Sequence, residues 1–312
     1  MCLKRFPSFS DPGNELISIS DVFIPSTDSY ILVNHSMKKV VVGYRGTAEP
    51  MAAVTDLETV MAMLAAAGDA HVHSGFLQSY LVTAQNTTLT TKSLLQRYPG
   101  YGLVFTGHSF GGAQAALAAA DWTVRNYHGL NDDSTSDQPW WSQVQPELYT
   151  FGQPRIGNLA FASWFASLPI TVYRVVQRSD VVPRLWMPGM FHHVREFWID
   201  GQTGVSCGPR EGDVWQTGET ADCVNAVPLY HLNVADHSDY FGILDVMEIK
   251  YIIKNLILGS LPLHQNLAQQ EEELHRAWQV RKEAVIKRIN SSAAATWALF
   301  RTPTPIPIPI LV

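Results

Sequence analysis

GLVFTGHSFGGAQAALAAADWTVRN (residues 102–126) joins a short apolar run to an alanine-rich run through the pattern Gly-His-Ser-Phe-Gly. The apolar run predicts a buried strand and residues 110–126 predict a helix. Gly-x-Ser-x-Gly between a strand and a helix is typical of a nucleophile elbow, which exposes a serine hydroxyl above the sheet edge. Gly107 and Gly111 lack Cβ atoms and would relieve the crowding in such a turn. The alternative is a tight turn with an incidental serine, but the flanking elements favour Ser109 as a nucleophile.

A serine hydroxyl needs a histidine base, and the histidine needs a carboxylate that orients it. Chains with this elbow place the three residues in the order Ser, acid, His. Asp180 closely follows the predicted strand TVYRVV (171–176). That position, beyond the carboxyl end of a strand, is where such folds present catalytic groups. Asp180 is therefore the candidate acid, with a helix or turn cap as the alternative interpretation.

Four histidines follow the acid, and their surroundings differ. His237 lies in the polar stretch ADHSDYFG before an apolar run, which favours it as the base, whereas His231 in LYHLN has apolar neighbours and is expected to pack in the core. His192 and His193 are expected to support the loop of the acid. They also suggest a metal site, but no third ligand with suitable spacing lies nearby, so neither a metal nor a cofactor is expected.

The bulk composition predicts a globular protein with a sizeable core. The chain is 46% hydrophobic and 16% charged, with a formal net charge of -6. The chain lacks the basic excess that would indicate a nucleic-acid partner. No run reaches the ~18 apolar residues that a transmembrane span needs. The first 18 residues contain early basic side chains but no apolar core of a signal peptide.

Strand patterns alternate with helix patterns, which favours a mostly parallel sheet covered by helices on both faces. Short connections between the early strands predict an antiparallel N-terminal edge. The polar residues 129–146 predict an exposed loop. Further strands are predicted at YILVN, VVVGYR, ELYTFG and REFWID, and a further helix at GNLAFASWFASL. We divide the chain into an N-terminal segment (1–14), a sheet domain (15–262) and a helical, proline-rich extension (263–312).

The chain contains three cysteines, of which Cys207 and Cys223 share one polar stretch. From the residues alone, two free thiols and a local disulfide are equally good interpretations. A disulfide would indicate an oxidising compartment.

The order of several blocks resembles the fungal class 3 lipases, the triacylglycerol lipases of filamentous fungi. The resemblance covers roughly residues 15–250. The blocks that carry it are VVVGYRGT, VHSGFLQSY, YPGYGLVFTGHSFGGAQAALAA, YTFGQPRIGN, YRVVQRSDVVPRLW, FHHVREFWI and DHSDYF. It implies an α/β-hydrolase fold with a short lid over the site.

The roles of the family carry over onto matching positions. Ser109 matches the nucleophile, Asp180 the acid and His237 the base. The backbone N–H groups of Thr47 and Phe110 match the oxyanion hole, although the family usually has leucine where Phe110 stands. The lid of the family falls on residues 48–54, AEPMAAV, which is only mildly apolar. The family is usually secreted and disulfide-linked, which favours a bond between Cys207 and Cys223.

These observations predict a monomeric, extracellular carboxylic ester hydrolase of the triacylglycerol lipase type, acting through an acyl-enzyme on lipid esters at an oil–water interface. One alternative is a feruloyl-type or other soluble-ester carboxylesterase on the same fold. The other is a lipase-like protein that binds partners without catalysis. The filled triad positions disfavour the latter, and the apolar side of the lid segment favours a lipase over an esterase.

Overall fold

A computed structural model describes ten segments of the chain. These are residues 14–20, 28–47, 61–63, 69–127, 139–185, 187–200, 203–207, 219, 222–240 and 243–244. The predicted lid (48–54) and the predicted extension (263–312) lie outside the described residues. Among the described helices, none is long and apolar enough to cross a bilayer.

The central feature is an eight-stranded sheet in which four neighbouring pairs of strands run parallel. Its order is β1-β2-β3-β6-β7-β8-β9-β10, and only the two edges are antiparallel. The fold is therefore the predicted α/β hydrolase with a mostly parallel sheet, and the expected antiparallel N-terminal edge is confirmed. The strands are β1 (Asn14–Ser20), β2 (Ser29–Asn34), β3 (Lys39–Tyr44), β4 (Met61–Met63), β5 (His71–His73), β6 (Gly102–His108), β7 (Pro146–Phe151), β8 (Thr171–Gln177), β9 (Glu196–Asp200), β10 (Thr203–Cys207), β11 (Asp239–Tyr240) and β12 (Ile243–Leu244).

Four described helices accompany the sheet: α1 (Ser74–Arg97), α2 (Phe110–Asn126), α3 (Leu159–Ala166) and α4 (Ala235–Ser238). Helix α2 has the predicted bounds and packs on β6 and β7, and its small side chains are buried, Ala113, Ala116 and Ala120 among them. Helix α1 packs beside α2. Two of its buried threonines donate their hydroxyl protons to carbonyls one turn back, Thr83 to Tyr80 and Thr87 to Thr83, so these weak helix formers are buried without a lost hydrogen bond.

The turn from β6 into α2 has the strained geometry that an elbow requires. Ser109 has φ 56° and ψ -127°, in a region that non-glycine residues rarely adopt. A Cβ at Gly107 would overlap the carbonyl oxygen of Gly111, and a Cβ at Gly111 would overlap the carbonyl oxygen of Tyr44. Both glycines are therefore needed for close approach of backbone to backbone, as the sequence predicted.

The loop expected over residues 129–146 is partly wrong. Of this range, residues 139–146 are described, and they contain a 3₁₀ turn, Trp140–Gln143, and the first residue of β7. Trp141 is buried there against Trp122 of α2, with ring centroids 6.0 Å apart. The polar neighbours of Trp141 predicted exposure, but the aromatic side chain is large enough to bury apolar area whatever its neighbours are.

Cys207, at the end of β10, is bonded to Cys223 in a disulfide. Of the two interpretations that the residues left open, the disulfide is therefore confirmed.

We expect Gly111→Ala to destabilise the protein by roughly 3 kcal/mol, the upper end of the usual cost of overpacking, because its Cβ meets backbone that cannot rotate away. Gly100→Ala is the control, since that position has φ +82° but open space around it, and it should cost only about 1–2 kcal/mol. The free energy of unfolding in urea measures both. Equal costs for the two variants would contradict this account of the elbow.

Candidate active site

The best-defined polar contact of the site joins Asp180 to His237. Both side chains are fully buried, and His237 Nδ1 lies 2.9 Å from each carboxylate oxygen of Asp180. An ionised carboxylate can only accept, so Nδ1 carries a proton, and in the neutral imidazole the lone pair is then on Nε2. The arrangement leaves Nε2 of His237 free to accept a proton.

Two further donors hold the carboxylate of Asp180. The backbone N–H of Val182 donates to Oδ1 at 2.8 Å, and the hydroxyl of Tyr240 donates to Oδ2 at 2.6 Å. Tyr240 is buried and accepts in turn from the N–H of Gln177 at 3.2 Å. Burial and the carboxylate of Asp180 raise the pKa of Tyr240 well above 10, so its hydroxyl remains a donor.

Backbone contacts tie the segment of the histidine to the loop of the acid. Asp180 and Asn233 form a parallel bridge, and Asn233 N–H donates to Ser179 O at 3.0 Å. Asp236, one residue before His237, accepts from the N–H of Ser179 at 3.1 Å. The acid and the base are therefore positioned by the same short ladder, although they are 57 residues apart in the chain.

Ser109 lies at the C-terminal end of β6, and its side chain is buried. Its N–H donates to Phe151 O at 2.8 Å, which continues the parallel ladder with β7. Ser109 Oγ and His237 Nε2 have no hydrogen-bond partner in the described part of the chain. Such catalytic contacts are often loose without a bound ligand and tighten in the complex.

The two predicted oxyanion residues are Phe110, which follows Ser109 in the chain, and Thr47, which follows Gly46. Phe110 is the first residue of α2, where a backbone N–H has no acceptor within the helix. Its ring is buried against Phe76, at 5.1 Å between centroids, so the side chain belongs to the core. Thr47 follows Gly46, whose Cβ position would lie 3.4 Å from Ser109 Cβ. Phe110 and Gly46, the residue before Thr47, thus both lie beside the serine.

Gly152, after β7, is a site residue that sequence analysis did not single out. It has φ +58°, and a Cβ there would lie 2.7 Å from Asp180 Oδ2 and 2.8 Å from His237 Nδ1. Any side chain would therefore push the acid and the histidine apart. The signal was present in the block YTFGQPRIGN, but the block does not show which glycine approaches the site.

A charged cluster supports the acid loop from behind. Arg155 pairs with Glu219 through two hydrogen bonds of 2.7 and 2.9 Å. It also donates to the carbonyls of Pro183 and Leu185 at 3.2 and 3.1 Å. His192 Nε2 lies 3.0 Å from Pro183 O and donates to it, which places His192 in the supporting role that the sequence predicted.

The two buried histidines of this region are neutral. Burial lowers the pKa of His193 to about 3, and the nearby Arg174 adds to this effect. Burial, Arg174 and Arg155 together lower the pKa of His192 well below its usual value. The described residues contain no group of three His, Cys, Asp or Glu side chains that could hold a metal ion.

The expectation for His231 is wrong, because its side chain is exposed. The neighbouring apolar side chains that predicted burial are themselves exposed, with Leu229 at 70% and Tyr230 at 83%. Tyr240 was also missed. Its only signal in the sequence is its place three residues after His237.

The fold, with a buried Asp–His pair and a strained serine at the turn from β6 into α2, defines an α/β hydrolase. The chain belongs to the class 3 lipase family, whose profile matches residues 41–190. It is 31% identical over 231 residues to a lipase from Rhizomucor miehei, a match that covers 73% of this chain and 59% of the relative.

Solved structures of the same family are similar over more of their length. The lipase from Rhizopus microsporus var. chinensis has a TM-score of 0.64 and 31% identity, covering 76% of this chain and 77% of that one. A triacylglycerol lipase whose catalytic centre is described as a serine protease triad has a TM-score of 0.60 and 29% identity, covering 75% of this chain and 83% of that one.

We expect the stability of the protein to fall with pH between about pH 6.5 and 5. His193 binds its proton in the unfolded chain near 6.5 but in the fold only near 3. Stability is therefore fully present above about 6.5 and is lost as pH falls, by about 1.4 kcal/mol per pH unit for each such histidine. The free energy of unfolding of His193→Phe, measured in urea at several pH values, should change less steeply with pH by that amount. The exposed His231→Phe is the control, and equal slopes for wild type and His193→Phe would disprove the assignment.

Proposed function

We propose that this chain is a serine ester hydrolase that acts on triacylglycerols. The observation that carries the proposal is the buried pair of Asp180 and His237, with the lone pair of Nε2 directed away from the acid. Ser109 would be the nucleophile, His237 the base and Asp180 the orienting acid. The N–H groups of Thr47 and Phe110 would hold the oxyanion.

The chemistry follows from these positions. His237 Nε2 takes the proton of Ser109 Oγ as the oxygen attacks the ester carbonyl, and the N-terminus of α2 stabilises the negative charge that develops on the carbonyl oxygen. The imidazolium then donates that proton to the leaving alcohol, and an acyl-serine remains. Water, deprotonated by the same histidine, attacks the acyl group; the bond to Ser109 Oγ breaks, the imidazolium returns the proton to Oγ, and the acid is released. No cofactor or metal is required for these steps.

The segment before His237 supports a lipid substrate. Leu229, Tyr230 and Val234 are exposed large apolar side chains, and they lie within nine residues of the base in the chain. An exposed apolar group beside a catalytic residue favours contact with an oil surface over contact with a dissolved ester. The disulfide and the resemblance support an extracellular location. We further propose that the protein acts as a monomer.

The soluble-ester esterase remains the rival candidate on the same scaffold. It would use the same triad but gain nothing from an interface. A non-catalytic binding protein is disfavoured, because it would not need a buried acid held by three donors, His237, Val182 and Tyr240.

We expect Ser109→Ala to lower kcat on a p-nitrophenyl ester by about 10⁴-fold or more, since it removes the covalent step. His237→Ala should be similarly impaired. His231→Ala is the matched control and should retain activity, because its side chain is exposed. Thermal melting checks that each variant is folded. A folded Ser109→Ala variant that keeps more than about a tenth of the wild-type rate, less than one order of magnitude, would refute the assignment.

The lipase and the esterase are separated by their response to an interface. We expect the rate on tributyrin to rise above its solubility limit. The double change Leu229→Ser and Tyr230→Ser should weaken this rise by about tenfold or more, since each buried apolar side chain contributes roughly 1.5–3 kcal/mol. The rate of this double variant on monomeric p-nitrophenyl butyrate should equal that of the wild type.

Met37→Ser is the control for this experiment. Met37 is 68% exposed but lies in the β2–β3 turn, at the end of the sheet opposite Ser109. It should leave both rates unchanged. Simple saturation of wild type on dissolved substrate, with no step at the solubility limit, would favour the esterase.

A further inference from the structure

His108 contacts the candidate base, although it precedes the candidate nucleophile in the chain. Its Nε2 lies 2.7 Å from the backbone oxygen of His237. The two imidazole rings lie against each other, with centroids 4.4 Å apart and planes inclined by 34°. The ring of Tyr240, which holds Asp180, makes a T-shaped contact with the ring of His108, with centroids 5.5 Å apart. One side chain therefore touches both the base and the residue that fixes the acid.

The short helix that carries His237 needs such an anchor. Helix α4 contains only four residues, and it ends at Ser238, one residue beyond the base. The carbonyl of His237 consequently has no N–H donor four residues later within the helix. Preceding residues such as Leu229, Tyr230 and Val234 are exposed and contribute little packing. The N–H of His108 supplies a donor from the rigid centre of the sheet.

The tautomer of His108 follows from its partner. A carbonyl oxygen only accepts, so Nε2 of His108 carries a proton and donates it. A neutral His108 fulfils this role completely. It also suits the chemistry, because His237 becomes a cation during acylation and a second positive charge at 4.4 Å would oppose that step.

We propose that His108 is a positioning residue, which holds the base at the correct distance and angle from Ser109 through its Nε2–H bond to the carbonyl of His237. The proposal rests on the proposed function, since it concerns the same triad. His108 and Ser109 are adjacent, so the strand that presents the nucleophile also fixes the base. Relative movement of the two reacting groups is thereby limited, and a displacement of about 1 Å between reacting groups can lower a rate by about 100-fold.

The alternative is that His108 merely fills space at the end of β6. Three substitutions separate the two roles. His108→Gln places an amide N–H near the position of Nε2 and keeps the donor. His108→Asn is polar but too short to reach the carbonyl. His108→Leu fills the space but has no donor.

Inactivation by diethyl p-nitrophenyl phosphate measures the effect at the serine itself. Ser109 Oγ attacks phosphorus, p-nitrophenolate leaves with the bonding electrons, and the serine proton passes to His237. The released p-nitrophenolate counts the sites that react. This small reagent does not depend on an oil interface or on acyl-chain binding, so the test is independent of substrate preference.

We expect His108→Leu and His108→Asn to react roughly 10- to 100-fold more slowly than wild type, while His108→Gln recovers most of the wild-type rate. On p-nitrophenyl butyrate the same variants should lose kcat with little change in KM, which loss of packing alone would not produce. His231→Gln, an exposed position, is the control and should react like wild type. Thermal melting reports the folded state of every variant, and His108→Asn provides the test if His108→Leu does not fold.

Two results would overturn the role of His108 and leave the proposed function intact. One is a wild-type rate in folded His108→Asn or His108→Leu. The other is a His108→Gln variant that is as slow as His108→Leu, since the donor would then not be the cause. If wild type released no p-nitrophenolate, or if Ser109→Ala released as much as wild type, the proposed function itself would fail and the role of His108 with it.

Discussion

The strained turn at Ser109 is the constraint on which the rest of the structure depends. A residue at φ 56° costs about 1–3 kcal/mol and persists only where its surroundings over-determine it. Here the N–H of Ser109 is held by Phe151 on one side, and α2 is pressed against the backbone of β3 on the other. The absence of side chains at Gly107 and Gly111 allows this approach. The same close approach directs the N-terminus of α2 at the space above the serine.

The acid and the base depend on that turn through contacts that cross the sheet. Gly152, at the end of the strand next to β6, leaves room for both Asp180 and His237, and His108 reaches the backbone of His237 from β6 itself. Behind the acid, Arg155 and His192 both donate hydrogen bonds to the carbonyl of Pro183. Three adjacent strand ends thus each contribute to one buried polar cluster. Its members are fixed from several directions, as preorganised catalytic groups must be.

The sequence predicted the elements whose pattern is local, and it failed where a contact is distant. The bounds of α2 and the positions of β6, β7, β8 and β9 followed from apolar runs and small residues. The candidate triad positions were assigned from the elbow and from chain order, and they stay a prediction. The predictions for Trp141 and His231 were both wrong. The polar neighbours of Trp141 indicated exposure, but it is buried, and the apolar neighbours of His231 indicated burial, but it is exposed. Tyr240 and His108 were missed, since each acts on a residue 60 or 129 positions away, a distance over which residue patterns carry no signal.

The segment of residues 228–240 has two faces with opposite requirements. Its outer face exposes Leu229 and Tyr230 to solvent, while its inner end buries His237 and Tyr240 completely or nearly so. Exposed loops of this kind are normally the most mobile parts of a fold, yet the base must stay within a fraction of an ångström of its reacting geometry. The hydrogen bonds from His108, Ser179 and Asn233 resolve this conflict, because they attach the inner end to the sheet and leave the outer face free. Contact of the outer face with a lipid surface can then occur without displacing the base.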